Sequence, residues 1–230
     1  VSNNDQFQFT GAQGQYNVDA VQNGLVVQSY TGLVDQQTIT LPSAGVYQVR
    51  VKPVGNNPFN RIQFKDAGDR LKVNSLDNWG DIIWSSFNNM FQGCFNLVAN
   101  YIDSPNSVNV KNAFAMFNNC FLFNRKILFK DSSIEDFRFF LKNANSFKQS
   151  LSEINIENAT NLDLMLNNID INITGTTTNY DETLNSWANQ NAPLNLSFTG
   201  QTSKYSNKGK VGRDKLINDF GWTISDGGQI

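Results

Sequence analysis

Met90-Phe91-Gln92-Gly93-Cys94-Phe95-Asn96-Leu97 and Met116-Phe117-Asn118-Asn119-Cys120-Phe121-Leu122-Phe123 are one phrase written twice, 26 residues apart. A third copy, Phe140-Leu141-Lys142-Asn143-Ala144-Asn145-Ser146-Phe147, follows after 24 residues, and a shortened fourth, Met165-Leu166-Asn167-Asn168-Ile169, after 25. Short alternating stretches separate these knots: Leu71-Lys72-Val73, Tyr101-Ile102, Ile127-Leu128-Phe129 and Ile154-Asn155-Ile156. A period of this length, holding one strand and one short helix, predicts a solenoid, because no single unit can bury its apolar face and each neighbour completes the core. In that register Phe91, Phe117, Leu141 and Leu166 form one internal column. Cys94, Cys120, Ala144 and Ile169 form a second, of small or medium residues where helix and sheet approach closely.

Working outward, residues 1–68 read as strands. Phe7-Gln8-Phe9, Tyr16-Asn17-Val18, Leu25-Val26-Val27, Thr38-Ile39-Thr40-Leu41 and Val46-Tyr47-Gln48-Val49-Arg50-Val51 are separated by Gly11, Gly14, Asn23-Gly24, Gly32 and Pro42-Ser43-Ala44-Gly45. Short strands at such turn spacing predict a small antiparallel β-sandwich, with Asn23-Gly24 as a type I′ hairpin because both its central positions need positive φ. Pro53, Gly55 and Pro58 mark a boundary, and Arg61-Ile62-Gln63-Phe64 reads as one more strand. Residues 69–172 hold the repeats, and residues 173–230 read as the cap that an open last rung requires. In the cap, a helix starts near Thr178 and Asp181 and runs through Leu184 and Trp187, Leu194–Phe198 is a strand, and a second helix runs from Ser206 to Asp219. Gly221 stops that helix before a last strand, Trp222-Thr223-Ile224. The fold class is therefore α+β, mostly β.

Composition excludes more than it assigns. The 230 residues carry a net charge of −2 and no histidine, with 17% charged residues against roughly 25% in an average soluble chain. Neutral amides supply the missing polarity, with 34 asparagines. Without histidine, imidazole-assisted nucleophiles and the commonest zinc ligand are unavailable, which points away from a hydrolytic triad or a zinc enzyme and leaves any catalysis to carboxylates, lysine or tyrosine; no metal and no cofactor are expected. A near-neutral chain offers no basic footprint for nucleic acid, and no apolar run approaches the ~18 residues of a membrane span.

The repeats resemble the BspA-like leucine-rich repeat family of bacterial surface proteins. Tyr180-Asp181-Glu182-Thr183-Leu184-Asn185-Ser186-Trp187, Ser203-Lys204-Tyr205-Ser206 and Gly221-Trp222-Thr223-Ile224-Ser225-Asp226-Gly227-Gly228 resemble that family's C-terminal signature. The N-terminal segment is similar to a polycystic kidney disease (PKD)-like sandwich. Ala44-Gly45-Val46-Tyr47-Gln48-Val49-Arg50-Val51 matches its late strand, while Ala20-Val21-Gln22-Asn23-Gly24 stands where its Trp-Gly-Asp-Gly turn would be. The resemblance implies a capped leucine-rich-repeat-like solenoid and a non-catalytic adhesion or recognition module at a cell surface. It would bind a surface glycan or protein and gain avidity by multivalent display. The same module would also suit a phage virion, as a structural or fibre protein for host attachment that binds neighbouring virion subunits.

The outward side of the strand ladder is the expected binding surface. If Ile102, Phe129 and Ile156 point inward, strand alternation exposes Arg70, Lys72, Tyr101, Asp103, Lys126, Leu128, Lys130, Glu153, Asn155 and Glu157. Cys94 and Cys120 read as two small buried residues rather than a disulfide, because stacked segments lie about 8–10 Å apart, beyond the ~7 Å Cα limit of a bridge. Asp66, Asp69, Asp77 and Asp81 cluster near the boundary. A carboxylate-dependent glycosidase or a calcium site would need them to converge, whereas turn and cap chemistry explains them without that. The sequons at Asn158, Asn172 and Asn195 are what an amide-rich chain produces by chance, and the four tryptophans are assigned to core.

Overall fold

The computed structural model describes residues 2–129, 131 and 133–230. The chain is mostly β, with antiparallel sheets in its N-terminal part and two helices near its C-terminal end. Strands β1 (Gln6–Gln8), β2 (Gln15–Gln22), β3 (Leu25–Val34), β4 (Thr38–Thr40) and β5 (Gln48–Pro53) form the N-terminal part. β2 lies at the centre of a three-stranded antiparallel sheet in the order β3, β2, β5, while β1 pairs with β4. Asn23 and Gly24 take φ of 53° and 80°, and Gln22 pairs with Leu25 across them, the hairpin geometry that Asn-Gly predicts. Tyr16, Val18 and Ala20 turn one face of β2 into the core. Phe59 then carries the core onward, its ring 4.9 Å from Tyr16 and 5.9 Å from Trp84.

From Phe64 onward the backbone repeats itself. The N–H groups of Phe91, Phe117 and Leu141 donate to the carbonyls of Met116, Phe140 and Met165 at 2.8–2.9 Å, one unit downstream. Two residues later, Gly93, Asn119 and Asn143 donate to Asn118, Lys142 and Asn167, each at 2.9 Å. Within each unit the chain closes a tight turn: Cys94 to Phe91, Cys120 to Phe117, Ala144 to Leu141 and Ile169 to Leu166. The knots are therefore turns, not the short helices expected. The reason lies in two positions per unit with positive φ, which an α-helix cannot contain: Asn89, Ala115, Phe139 and Leu164, then Gly93, Asn119, Asn143 and Asn168.

The strands expected between the knots differ too. Leu71 and Lys72 lie in a 3-10 turn, Arg70–Lys72, and Tyr101-Ile102 is not a strand. Instead β6 (Ser75–Leu76) and β7 (Val98–Ala99) pair in parallel, and Phe129 and Ile154 make a single parallel bridge. Arg61 makes a lone antiparallel bridge to Gln13, so residues 61–64 are not a regular strand. Phe64 to Ala67 nevertheless repeats the turn pattern, with Ala67 donating to Phe64, Phe64 donating to Met90, and Asp66 at φ 57°. The pattern thus begins one unit before its Met/Cys signature does.

The two columns read from the sequence are inside: Phe91, Phe117, Leu141 and Leu166, with Cys94, Cys120, Ala144 and Ile169, are all buried. The Phe91 and Phe117 rings stack at 5.7 Å, and Phe117 stacks on Phe123 at 4.0 Å. Fully burying each such ring contributes about 1.5–3 kcal/mol. Both cysteines are free thiols, and Cys120 Sγ donates to the Phe91 carbonyl at 3.0 Å.

Helix α1 (Thr178–Ala188) and helix α2 (Asn207–Asn218) follow the repeats, with strands β8 (Ser197–Thr199) and β9 (Thr223–Ser225) paired in parallel. One buried carboxylate ties the helix starts together: Asp181 accepts from the Thr177 hydroxyl at 2.8 Å and from the Ser206 amide and hydroxyl at 2.9 and 2.6 Å. Ser206 in turn caps α2 by accepting from the Lys208 amide. The helices touch so closely that a Cβ on Gly212 would lie 2.6 Å from the Asn185 amide nitrogen.

Candidate functional site

The residues expected to form one exposed strip are distributed to several tasks. Tyr101 is a correction: it is 1% exposed, its hydroxyl donating to the Lys126 carbonyl at 3.1 Å, while Ile102 is 83% exposed. The one-residue inversion follows from the absence of a strand at 101–102, so the alternation used to place them does not apply. Burial raises the Tyr101 phenol well above its ordinary range. Asp103 turns back to accept from the Trp79 and Gly80 amides. Lys126 and Glu153 form an ion pair at 3.3 Å. Leu128 is half-buried, and Lys130 lies outside the described residues. Asn155 accepts from the Glu157 amide, and Glu157 from the Asn191 amide. Arg70 sits over the Phe95 ring.

Lys72 is fully engaged elsewhere. Its ammonium donates to the Ser2, Asn3 and Gln6 carbonyls and to the Ser2 hydroxyl at 2.7–3.0 Å. Beside it Asp69, 1% exposed, accepts from the Ser2 amide and hydroxyl and from the Gln8 amide. Burial works to raise the Asp69 pKa, but those hydrogen bonds and Lys72 outweigh it and hold the carboxyl below its ordinary value. This acid is a clamp on the N-terminal segment. The other acids of that cluster act separately: Asp66 accepts from Gln92, Asp77 from Asn100, and Asp81 is exposed. Among the described residues no group of three potential metal ligands converges.

A different face carries a groove of about 450 Å3, lined by residues of four successive units, among them Gln63, Asn88, Asn112 and Asp136. Its floor is a directed chain of hydrogen bonds. Arg61 Nη2 donates to Gln63 Oε1 at 2.9 Å, Gln63 Nε2 to Asn88 Oδ1 at 3.4 Å, and Asn88 Nδ2 to Asn112 Oδ1 at 3.2 Å. Each amide is therefore held with its oxygen toward Arg61, and because the Asn88 and Asn112 oxygens each accept a second hydrogen bond, from Asn89 Nδ2 and the Phe114 amide, what these two leave free is an oriented N–H. The backbone supports the row. Ser86, Asn112, Asp136 and Asn161 each accept from the amide two residues on, at 2.8–3.1 Å, and so shape the chain as it enters each knot.

Arg138 closes one end of the groove with a two-point contact to Asp136, at 3.0 and 2.8 Å, and lies 5.2 Å over the Phe114 ring. The hydrogen bonds and charge of Asp136 raise the Arg138 pKa. Lys65 is exposed at the other end. The thiols of Cys94 and Cys120 lie away from water, and burial pushes both far above the ordinary thiol range. On the open face, the groups that can meet a ligand are amides, one lysine, one arginine–aspartate pair and part of an aromatic ring. Such a set donates and accepts hydrogen bonds along a line.

Sequence reading missed this groove although a signal for it was present. Ser86, Asn112, Asp136 and Asn161 recur at the same 26, 24 and 25 spacing as the knots. A second amide column, on the neighbouring turn, is also continuous: Asn143 donates to Asn119 and Asn168 to Asn143, each at 2.8 Å.

Residues 61–180 match the family described as Mycoplasma protein of unknown function, DUF285, and the chain belongs to that family. The match begins at Arg61, where the directed amide chain begins, and ends at Tyr180 inside α1. No curated protein and no solved structure matches the chain. No helix among the described residues is long and apolar enough to cross a membrane.

Proposed function

We propose that the chain is a non-catalytic recognition module, a short solenoid of stacked units with a β-sandwich before it and a helical cap after it, displayed at an extracellular surface. The ligand lies in the amide groove. The observation that carries this reading is the directed row from Arg61 through Gln63 and Asn88 to Asn112, because a row of oriented donors and acceptors is set before any ligand arrives. The stacking register of the backbone supports the solenoid, and the BspA-like phrasing of the knots and tail supports the surface setting.

The test is binding of the purified chain to arrays of surface glycans and surface proteins, alongside Asn88→Asp and Glu157→Gln. Asn88→Asp replaces a donor in the groove by an acceptor and is expected to abolish binding with the circular dichroism spectrum unchanged. Glu157→Gln, on the strip first expected to bind, is expected to leave it intact. Undiminished binding by folded Asn88→Asp would overturn the assignment of the groove.

A further inference from the structure

We propose that the groove takes a linear, carboxylate-bearing glycan, laid along the repeat direction with about one pyranose per unit and its carboxylate at Lys65. This rests on the recognition reading above and adds the ligand class, its direction and its charge.

The direction follows from spacing. Gln63, Asn88, Asn112 and Asp136 come from four successive units. Backbone segments joined by such interchain-type hydrogen bonds lie about 4.7–4.9 Å apart, of the order of one sugar residue in an extended chain. A glycan running across the units would meet amides of one unit alone, at most Asn88, Asn89 and Gln92, whereas one running along them meets a polar group of each unit in turn.

The class follows from the groups. With their oxygens satisfied inside the protein, Asn88 and Asn112 present amide N–H groups, the complement of sugar hydroxyl and carboxylate oxygens, and their orientation is fixed by their neighbours in the row. A folded protein partner would instead be anchored by aromatic or aliphatic side chains seated in a desolvated pocket, and the floor of this groove presents amides.

The charge follows from which cation is uncommitted. Arg138 spends two guanidinium donors on Asp136 and its face on Phe114. Lys65 is exposed at the rim, and among the described residues no carboxylate forms an ion pair with it. It can meet one carboxylate through a charge-assisted hydrogen bond.

The experiment uses the whole chain on printed glycans in matched pairs, each acidic oligosaccharide beside its carboxyl methyl ester, in lengths from two to eight sugars. The expected result is preference for the free acid, with binding that rises up to about four sugars and then levels. Lys65→Gln is expected to lose that preference, weakening acid binding on the order of tenfold while leaving the esters unchanged. Equal binding of acid and ester by the wild-type chain, with no effect of Lys65→Gln, would overturn the charge and leave the groove standing. Capture of a surface protein at the groove, with no glycan bound, would overturn the ligand class and leave the recognition reading standing. Binding of no array member would overturn both.

Discussion

The N-terminal sheet and the repeats satisfy the same backbone requirement in opposite ways. In the sheet, β2 finds its partners in strands that close back on it through turns, and the outer strand β3 keeps one edge unpaired. Leu25 and Val46 are left 71% and 77% exposed. In the repeats, alternate knot residues donate to the residue before their counterpart one unit on, and the side chains of Phe117, Phe140, Leu141 and Phe147 are wholly buried. The difference teaches that stability here is carried by stacking between neighbours, while the sheet region is attached at its base through Asp69, Lys72 and the Phe59 ring.

The sharpest way to break this contrast is a large-to-small truncation in each region, at a buried ring of the repeats and at an exposed side chain of the sheet. Phe117→Ala removes a ring stacked on Phe91 and Phe123 and is expected to cost about 3–5 kcal/mol in denaturant unfolding. Leu25→Ala is expected to change stability by less than about 0.5 kcal/mol. Equal effects would remove the distinction between the two regions.

Glycines separate the regions next. Gly93 has φ 80°, and an added Cβ would lie 2.3 Å from Asp66 Oδ1 and 2.8 Å from Arg70 Cδ. Gly24 has the same φ with open space around it. Gly24→Ala is expected to cost about 1–2 kcal/mol, the left-handed penalty alone, and thermal unfolding of Gly93→Ala is expected to show a clearly larger loss.

The clamp between the regions is titratable. The folded pKa of Asp69 is depressed, so its contribution is fully present above the unfolded carboxylate value and is lost as pH falls through the folded one. Asp69→Asn is expected to destabilise by about 1–3 kcal/mol at neutral pH, with the difference from wild type vanishing in acid. A pH-independent difference would mean that the charge of Asp69 plays no part. A smaller loss than at Asp69 is expected for Asn143→Gly, which keeps the positive φ but removes the middle of the Asn119–Asn143–Asn168 column. It should cost about 0.5–1.5 kcal/mol, read from the shift in denaturation midpoint.

Some of this was legible in the residues and some was not. The buried columns could be read because Met, Phe and Cys recur at the same step, and burial demands apolar residues at the same place in every unit. The left-handed turns could be read at Asn119, Asn143 and Asn168, since asparagine tolerates that conformation. They could not be read at Ala115, Phe139 and Leu164, whose residue types disfavour it by about 1–2 kcal/mol. There the amides of Ala115 and Phe139 donate to Arg138 and Asp163 in the next unit, and cross-unit bonding imposes what local preference opposes. The same blindness turned the knots into helices and put Tyr101 outside.

The sequence by itself determined the period, the buried columns, the Asn-Gly hairpin and the helix starts at the C-terminal end, because each is set by the chemistry of nearby residues. Only the tertiary structure decided which amides align into one groove, that Asp69 and Lys72 clamp the N-terminal segment, and that Lys65 stands at the groove rim. Those depend on side chains some 25 to 70 positions apart being placed within hydrogen-bond reach, and local preference contains no information on that.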